Sequence, residues 1–282
     1  MVIIKLSSGI GNQLFQYAFA LYLEQKYNLK VLFDTNSFQF DKYRRNEIDI
    51  LHPSYSIYNA KRFFTKFRGI KYRLLLLLFR INVKNKYITE TTFSDNLKLD
   101  ENKTYYFDGY WQTDRFVSQI IKPNNLFTPK ETIPIYIKDC LSEINESKSV
   151  SIHIRRGDYF SPQYIKKYGV CTEKYYNESI NYFTRRGNDY KFFVFSDDMS
   201  WVKQNLKLPD NTTYIKNEKI NDFWYIYIMS KCKHNIISNS TFSWWGAYLN
   251  TDPDKIIIAP AKWMLNTDKT IALNNWIKIE II

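Results

Sequence analysis

A short apolar run, then a polar or glycine-bearing turn, then a helix-length stretch recurs along this chain, and that recurrence limits the fold more than any other feature. Val2–Leu6 predicts a buried strand, and Ser7–Asn12 a glycine-containing turn. Gln13–Tyr27 predicts a helix with apolar residues around most of its circumference, and Lys30–Phe33 a second strand ending at Asp34. A strand–turn–helix–strand unit of this kind builds parallel sheets. Thr104–Phe107 predicts a further strand leading into Gly109–Tyr110–Trp111–Gln112.

The pattern starts again after a proline-bearing and then polar stretch at 122–149, where the domain boundary is expected. Ser149–Ile154, Tyr190–Phe195, His234–Ser238 and Lys255–Ala259 predict strands. Tyr175–Phe183, Asn221–Cys232 and a stretch beginning at Ser243 predict helices. The expected fold class is therefore α/β, two doubly wound Rossmann-type domains facing a cleft, spanning 1–135 and 149–282. In such folds ligands sit at the carboxyl ends of the strands.

The charge balance, 40 Lys and Arg against 28 Asp and Glu, gives a net charge of +12 and favours anionic partners. The basic residues are scattered, with local clusters at Lys61–Arg73 and Lys166–Lys167 and no uninterrupted basic tail. Aromatic residues make up 18% of the chain, which fits a protein that stacks rings on sugars or bases and equally fits compositional drift. Cys140, Cys171 and Cys232 are widely spaced and show neither a C-x-x-C motif nor zinc spacing, so reduced thiols are expected. Met1 runs straight into a strand, so no signal peptide is expected, and Leu74–Phe79 is too short to span a bilayer. Tyr72–Ile81 fits a buried helix better than a membrane-surface one. His52 and His234 stand alone and are expected to be structural.

Four stretches could carry chemistry. His153–Ile154–Arg155–Arg156–Gly157–Asp158 ends a predicted parallel strand, and guanidinium forks suit phosphate oxygens; an Arg–Asp pair fixing the turn is the plainer alternative. Ser238–Asn239–Ser240–Thr241–Phe242–Ser243 precedes a helix and places hydroxyls at four of six positions, a ready anion site where ordinary capping needs one. Ser8–Gly9–Ile10–Gly11–Asn12–Gln13 invites a dinucleotide reading with Asp34, but Leu14 stands where the third glycine belongs. Ser196–Asp197–Asp198 also ends a strand, where the acids could hydrogen-bond a base or ribose, and Ser196 or Asp197 could cap a helix. No Walker loop, G-x-S-x-G or H-E-x-x-H motif is present, which leaves NTPase and hydrolase readings without support.

Together these blocks resemble glycosyltransferase family 11, the α-1,2-fucosyltransferases, from residue 1 to about 265. The carriers are Ile4–Tyr17 with its Gly11–Asn12–Gln13, the His153-x-Arg155–Arg156-x-Asp158 motif, and Asn235–Ala247 with its Ser240–Thr241–Phe242–Ser243–Trp244–Trp245. Gly109–Tyr110–Trp111–Gln112 and Phe195–Ser196–Asp197–Asp198 fall at matching places. The resemblance implies a GT-B-like architecture, an acceptor-side N-terminal half and a C-terminal half binding GDP-fucose. It implies inversion at the fucose anomeric carbon, no divalent metal and no other cofactor. Arg155 would stabilise the leaving diphosphate, with Asn12 and Asp158 as the other catalytic candidates. His153, Asp197, Asp222, Asn239, Ser240, Thr241 and Phe242 would bind the donor, and Gly11, Asn12, Trp111 and Gln112 the acceptor, a galactose-containing oligosaccharide. Where family members carry an acid this chain has Tyr225, with Asp222 about a turn earlier, which leaves open which residue reads guanine. No acid apart from Asp158 adjoins Asn12 or Arg155 as a general base. The class further implies a cytoplasmic protein in peripheral contact with the anionic inner face of the plasma membrane. Binding of nucleic acid is not expected, and a non-catalytic nucleotide-sugar or glycan binder on the same scaffold is the alternative.

Overall fold

The computed structural model describes residues 1–39, 41–51, 74, 77–78, 82, 84–120, 126–265, 267 and 270–281, and leaves the side chains of 158, 163, 164 and 167 undescribed. The chain divides into two compact units, Met1–Lys130 and Glu131–Ile282.

The first unit holds a four-stranded parallel sheet of β1 (Val2–Lys5), β2 (Val31–Asp34), β3 (Asn85–Thr89) and β4 (Thr104–Asp108), in the order β2-β1-β4-β3. Helix α1 (Ile10–Tyr27) starts three residues earlier than the sequence predicts, with Gly9 in extended backbone at its N-cap and Asn28 left-handed at its end. Leu14, Phe15, Ala18 and Phe19 of α1 are fully buried, as continuous apolar patterning requires. The core is aromatic: Phe19 stacks on Trp111 at 4.0 Å between centroids and meets Phe93, Phe107 and Phe116 edge-on or tilted. Much of the aromatic excess is therefore packing. Helix α2 (Asp114–Val117) adds Phe116 to this cluster and is capped by Thr113, whose side chain accepts from Arg115 N.

The second unit holds a six-stranded parallel sheet of β5 (Lys148–Ile154), β6 (Tyr190–Ser196), β7 (Thr213–Tyr214), β8 (His234–Ile236), β9 (Ile257–Pro260) and β10 (Ile277–Ile279). Its order is β10-β9-β8-β5-β6-β7, with all of its pairings parallel. Helix α3 (Ile135–Asn145) occupies much of the stretch read as a polar linker. It buries Ile137, Cys140 and Ile144, which share one helical face, and packs against β5. Helices α4 (Pro162–Tyr168), α5 (Glu173–Thr184), α6 (Met199–Asn205), α7 (Phe223–Lys231) and α8 (Thr241–Tyr248) complete the unit.

Alternation along β5 assigns its two faces. Val150, Ile152 and Ile154 join Tyr175, Tyr176, Ile180 and Phe183 of α5 in one core cluster. Ser149, Ser151 and His153 take the opposite face, where Asn235 donates to Ser151 Oγ at 2.7 Å and to the Met229 carbonyl of α7 at 2.8 Å. Helices thus cover both faces of a parallel sheet, the Rossmann-type arrangement. The chain is of the α/β class, with a parallel sheet in each of its two units. Helix α8 lies so close to α7 that a Cβ on Gly246 would come within 2.8 Å of Met229 Cβ, which explains the glycine there. The three cysteines are free and buried.

Of the run read as a buried helix, most of Tyr72–Ile81 lies outside the described residues, and its described members Leu74, Leu77 and Leu78 are 53%, 53% and 49% exposed. Their exposure corrects the expectation of a buried run at these positions. His52 and the basic cluster Lys61–Arg73 lie outside the described residues. His234 is structural: its Nδ1 accepts from Ile256 N at 3.1 Å and its ring packs on Phe183 and Tyr190. Among the described residues no helix is long and apolar enough to cross a membrane.

Candidate functional site

In the second unit the strand order runs outward from β5 through β6 and β7 on one side, and from β8 through β9 and β10 on the other. The switch point therefore lies between β5 and β8, where an open parallel sheet leaves a crevice at its carboxyl edge. Two of the predicted motifs end on this crevice. His153, the last inward residue of β5 on its face, is buried and its Nδ1 meets Ser238 Oγ at 2.9 Å, closing β5 to the segment after β8. Burial, helped by the neighbouring Arg155 charge, pushes the imidazole down to about 3, so the ring is neutral at physiological pH. Its ring lies 5.3 Å from that of Phe242.

Ser240 caps α8, its side chain accepting from Phe242 N, and Ser243 Oγ turns back to the Ser240 carbonyl at 3.3 Å. Thr241 and Phe242 follow in the first turn, both half-buried. The free N–H groups and dipole of that helix end favour an anion at the same edge. Asn239 does not face this edge. It is fully buried, and its amide donates to the carbonyls of Tyr168 at 2.8 Å and Trp263 at 3.4 Å. The correction to its expected donor contact has a plain cause: a buried amide is held by whatever backbone acceptors surround it. Asn239 braces the loop while Ser240 and Thr241 stay at the edge.

The arginine pair is resolved by the end of β6. Arg155 pairs with Asp197 through Nη1 and Oδ2 at 2.9 Å, both side chains about a quarter exposed at 23% and 27%. Asp197 Oδ1 also accepts from the Arg156 backbone N at 2.9 Å. Asp197 therefore orients the loop after β5, and a Cβ at Gly157 would fall 2.7 Å from its carboxylate oxygen, so a side chain there would push that carboxylate aside. Arg156 turns away. Its guanidinium lies 3.8 Å from the Trp201 ring centre and 4.4 Å from that of Phe160, and its Nε bonds Asp198 Oδ2 at 3.2 Å. Asp198, rather than Ser196 or Asp197, caps α6 by accepting from Trp201 N at 3.1 Å. The salt bridge anticipated as a plain alternative exists, but with the acid of the next strand. The backbone of Asp158 lies in a short 3-10 turn, and its side chain is not described.

Asp222 stands at the N-cap position of α7 in helical backbone and makes no side-chain cap; Phe223 N is taken by Asn221 Oδ1 at 2.9 Å. Tyr225 is buried, and its hydroxyl accepts from Glu218 N at 2.6 Å and donates to the Glu218 carbonyl. Among the described residues no group of three His, Cys, Asp or Glu side chains is placed to hold a metal ion.

In the first unit the corresponding edge lies between the central neighbours β1 and β4. Asn12, in the first turn of α1 beside the buried Gly11, donates to Ser8 Oγ at 2.9 Å and accepts from Gln112 Nε2 at 2.7 Å. Two residues that the sequence nominated separately are thus in contact. Trp111, nominated with them, faces the other way: it is 3% exposed and packs on Phe19. The cause is its left-handed backbone, with φ of 57°, which rotates its indole into the core and corrects the expected acceptor contact. Tyr110 is the exposed ring of this turn, at 45%.

Sequence reasoning missed the struts behind this edge. Gln13 donates to the carbonyls of Ser8 and Arg45 and accepts from Glu47 N; Gln16 accepts from Ser7 N and donates to the Gly109 carbonyl at 3.0 Å. Two amides at i and i+3 inside an otherwise apolar helix were the available signal. Asp34, read with the glycine turn as part of a dinucleotide site, accepts from the Tyr106 hydroxyl at 2.7 Å and from Asn36 N at 3.0 Å, an internal role.

The family model for glycosyl transferase family 11 matches residues 50–280. This chain belongs to that family. Two relatives cover it almost end to end: it is 33% identical over 294 residues to an alpha-1,2-colitosyltransferase of Escherichia coli, covering 99% of both chains. It is 32% identical over 302 residues to the O-antigen biosynthesis glycosyltransferase WbnK of Escherichia coli, covering 97% of this chain and 99% of that one. It is also similar to the human galactoside alpha-(1,2)-fucosyltransferase 1, 29% identical over 103 residues, 36% of this chain and 28% of that one. Among solved structures, NodZ alpha-1,6-fucosyltransferase soaked with GDP-fucose matches at a TM-score of 0.49 and 12% identity, covering 87% of this chain and 91% of that one. At that score the likeness carries no residue assignment.

Proposed function

We propose that this family 11 glycosyltransferase moves L-fucose from GDP-β-L-fucose to a hydroxyl of a surface glycan, O2 of a terminal galactoside, with inversion and without a divalent metal. The observation that carries the reading is the convergence of His153, Arg155 and the Ser240–Thr241 helix start on the switch point of the second sheet. Cleaving the bond between fucose and phosphate leaves charge on the departing diphosphate. A guanidinium and a helix N-terminus at one edge answer that charge as a metal ion does in other transferases. The acids of the β6 end are engaged by the arginines and by the α6 cap, which fits a site that works without a chelated ion.

Neutral His153 offers a hydrogen-bonding edge to the base rather than a second charge. Asn12 and Gln112 form a polar pair suited to sugar hydroxyls. The hydrogen bonds of that pair run to Ser8 and to each other, and on this reading departure of GDP leads and the acceptor hydroxyl attacks late, from the face opposite the leaving group. A second donor is favoured by one specific finding, the colitosyltransferase relative, since colitose is fucose without its 3-hydroxyl. Contact with an anionic membrane face rests on the net charge of +12 alone.

Incubation with GDP-fucose or GDP-colitose and a panel of β-galactosides, with EDTA present, tests the reading. Transfer of fucose with α-1,2 linkage is expected. Transfer of colitose only would reassign the donor, and nucleotide binding without transfer would leave a binding protein on this scaffold.

A further inference from the structure

The turn after β4 is held in a conformation its residues do not favour. Trp111 has a left-handed φ of 57°, unusual for a bulky side chain and costing about 1–2 kcal/mol. Glu90, just beyond β3, reaches across to this turn. Its Oε1 accepts from Tyr110 N at 2.6 Å and also from Trp111 N. A Cβ on Gly109 would lie 2.7 Å from Glu90 Cγ, so the absence of a side chain at 109 makes room for this arm. On the far side of the turn, Gln16 holds the Gly109 carbonyl and Gln112 reaches Asn12. Glu90 is exposed and has no other assigned part in the chemistry.

We propose that Glu90 is a positioning residue for acceptor binding: its carboxylate holds the strained Gly109–Trp111 turn that delivers Gln112 to Asn12. Two backbone N–H groups converging on one oxygen offset the strain at Trp111, because a charged acceptor binds N–H donors more strongly than a neutral one. Released from Glu90, the turn relaxes and Gln112 leaves its partner. A displacement of about 1 Å at a substrate-binding group is enough to cost up to about a hundredfold in rate.

The inference rests on the acceptor-side reading of this edge given above, and its test separates the two. Glu90→Ala and Glu90→Gln are compared with the parent chain using GDP-fucose and lactose, alongside amide hydrogen exchange at 109–112. Glu90→Ala is expected to raise the lactose KM about tenfold, leave the GDP-fucose KM within about twofold, and speed exchange at Tyr110 and Trp111. Glu90→Gln keeps one oxygen able to accept both N–H groups, so it should restore slow exchange and most of the lactose KM. Equal rises in both KM values, an unchanged lactose KM in Glu90→Ala, or a Glu90→Gln as impaired as Glu90→Ala would overturn the proposal. If the parent chain transfers nothing to lactose, the acceptor reading fails by itself. Exchange at Tyr110 and Trp111 then still decides the holding role, unchanged rates in Glu90→Ala refuting it.

Discussion

Gln112 donates its amide to Asn12 Oδ1 at 2.7 Å although 100 residues separate them. The contact exists because β1 and β4 are hydrogen-bonded neighbours, so the turn after one strand faces the helix start after the other. Asn12 also holds Ser8 Oγ, in a residue whose φ of 70° is itself left-handed. The pair therefore acts as one unit. Asn12→Ala and Gln112→Ala are each expected to lower kcat/KM for the acceptor about tenfold, and the double variant little further. A double-mutant cycle should return a coupling of about 1–2 kcal/mol. Simple additivity would mean that the two side chains serve the acceptor independently.

The two adjacent arginines should separate cleanly. Arg155 is partly exposed and its ion pair with Asp197 contributes little to stability. Arg155→Ala should therefore melt near the parent temperature while turnover falls by about two to three orders of magnitude, the usual loss for a group that stabilises developing charge. Arg156 lies against the rings of both Trp201 and Phe160. Arg156→Ala should lower stability by about 1–2 kcal/mol, a shift of about 2–4 °C for a chain of this size. Differential scanning calorimetry beside steady-state kinetics checks both, and a reversal of the two profiles would exchange their roles.

Stability should carry a signature of His153. Its folded pKa of about 3 lies below the ordinary 6.5, so between these values the unfolded chain binds a proton that the folded chain refuses. This contribution is complete above pH 6.5 and declines as pH falls, by about 1.4 kcal/mol per unit. Urea unfolding at pH 7, 6 and 5 should therefore show a shallower decline for His153→Asn than for the parent chain. Parallel declines would mean that the imidazole charges in the folded state.

Where strands end was legible because each predicted strand stops at a polar cluster: Arg155–Arg156 after Ile154, Ser196–Asp197 after Phe195, and Ser238 after Ile237. Helix α3 was not, because its three buried residues are spaced among polar ones and its end runs into the polar stretch before β5. Trp111 was placed on the acceptor side by the family resemblance, and no motif reveals the backbone torsion of a residue whose ring is packed inward. Glu90 gave no signal at all, since an exposed acid beside a strand is the commonest thing a sequence contains.

By itself the sequence determined the two α/β halves, the motifs at the strand ends and the family, because these depend on residue type and local order. Tertiary structure alone decided that Asp197 holds Arg155, that Arg156 braces its loop, and that Asn12 meets Gln112. Those pairings depend on which parallel strands lie side by side. Strand adjacency is set by packing of the whole sheet, and no residue's neighbours along the chain encode it.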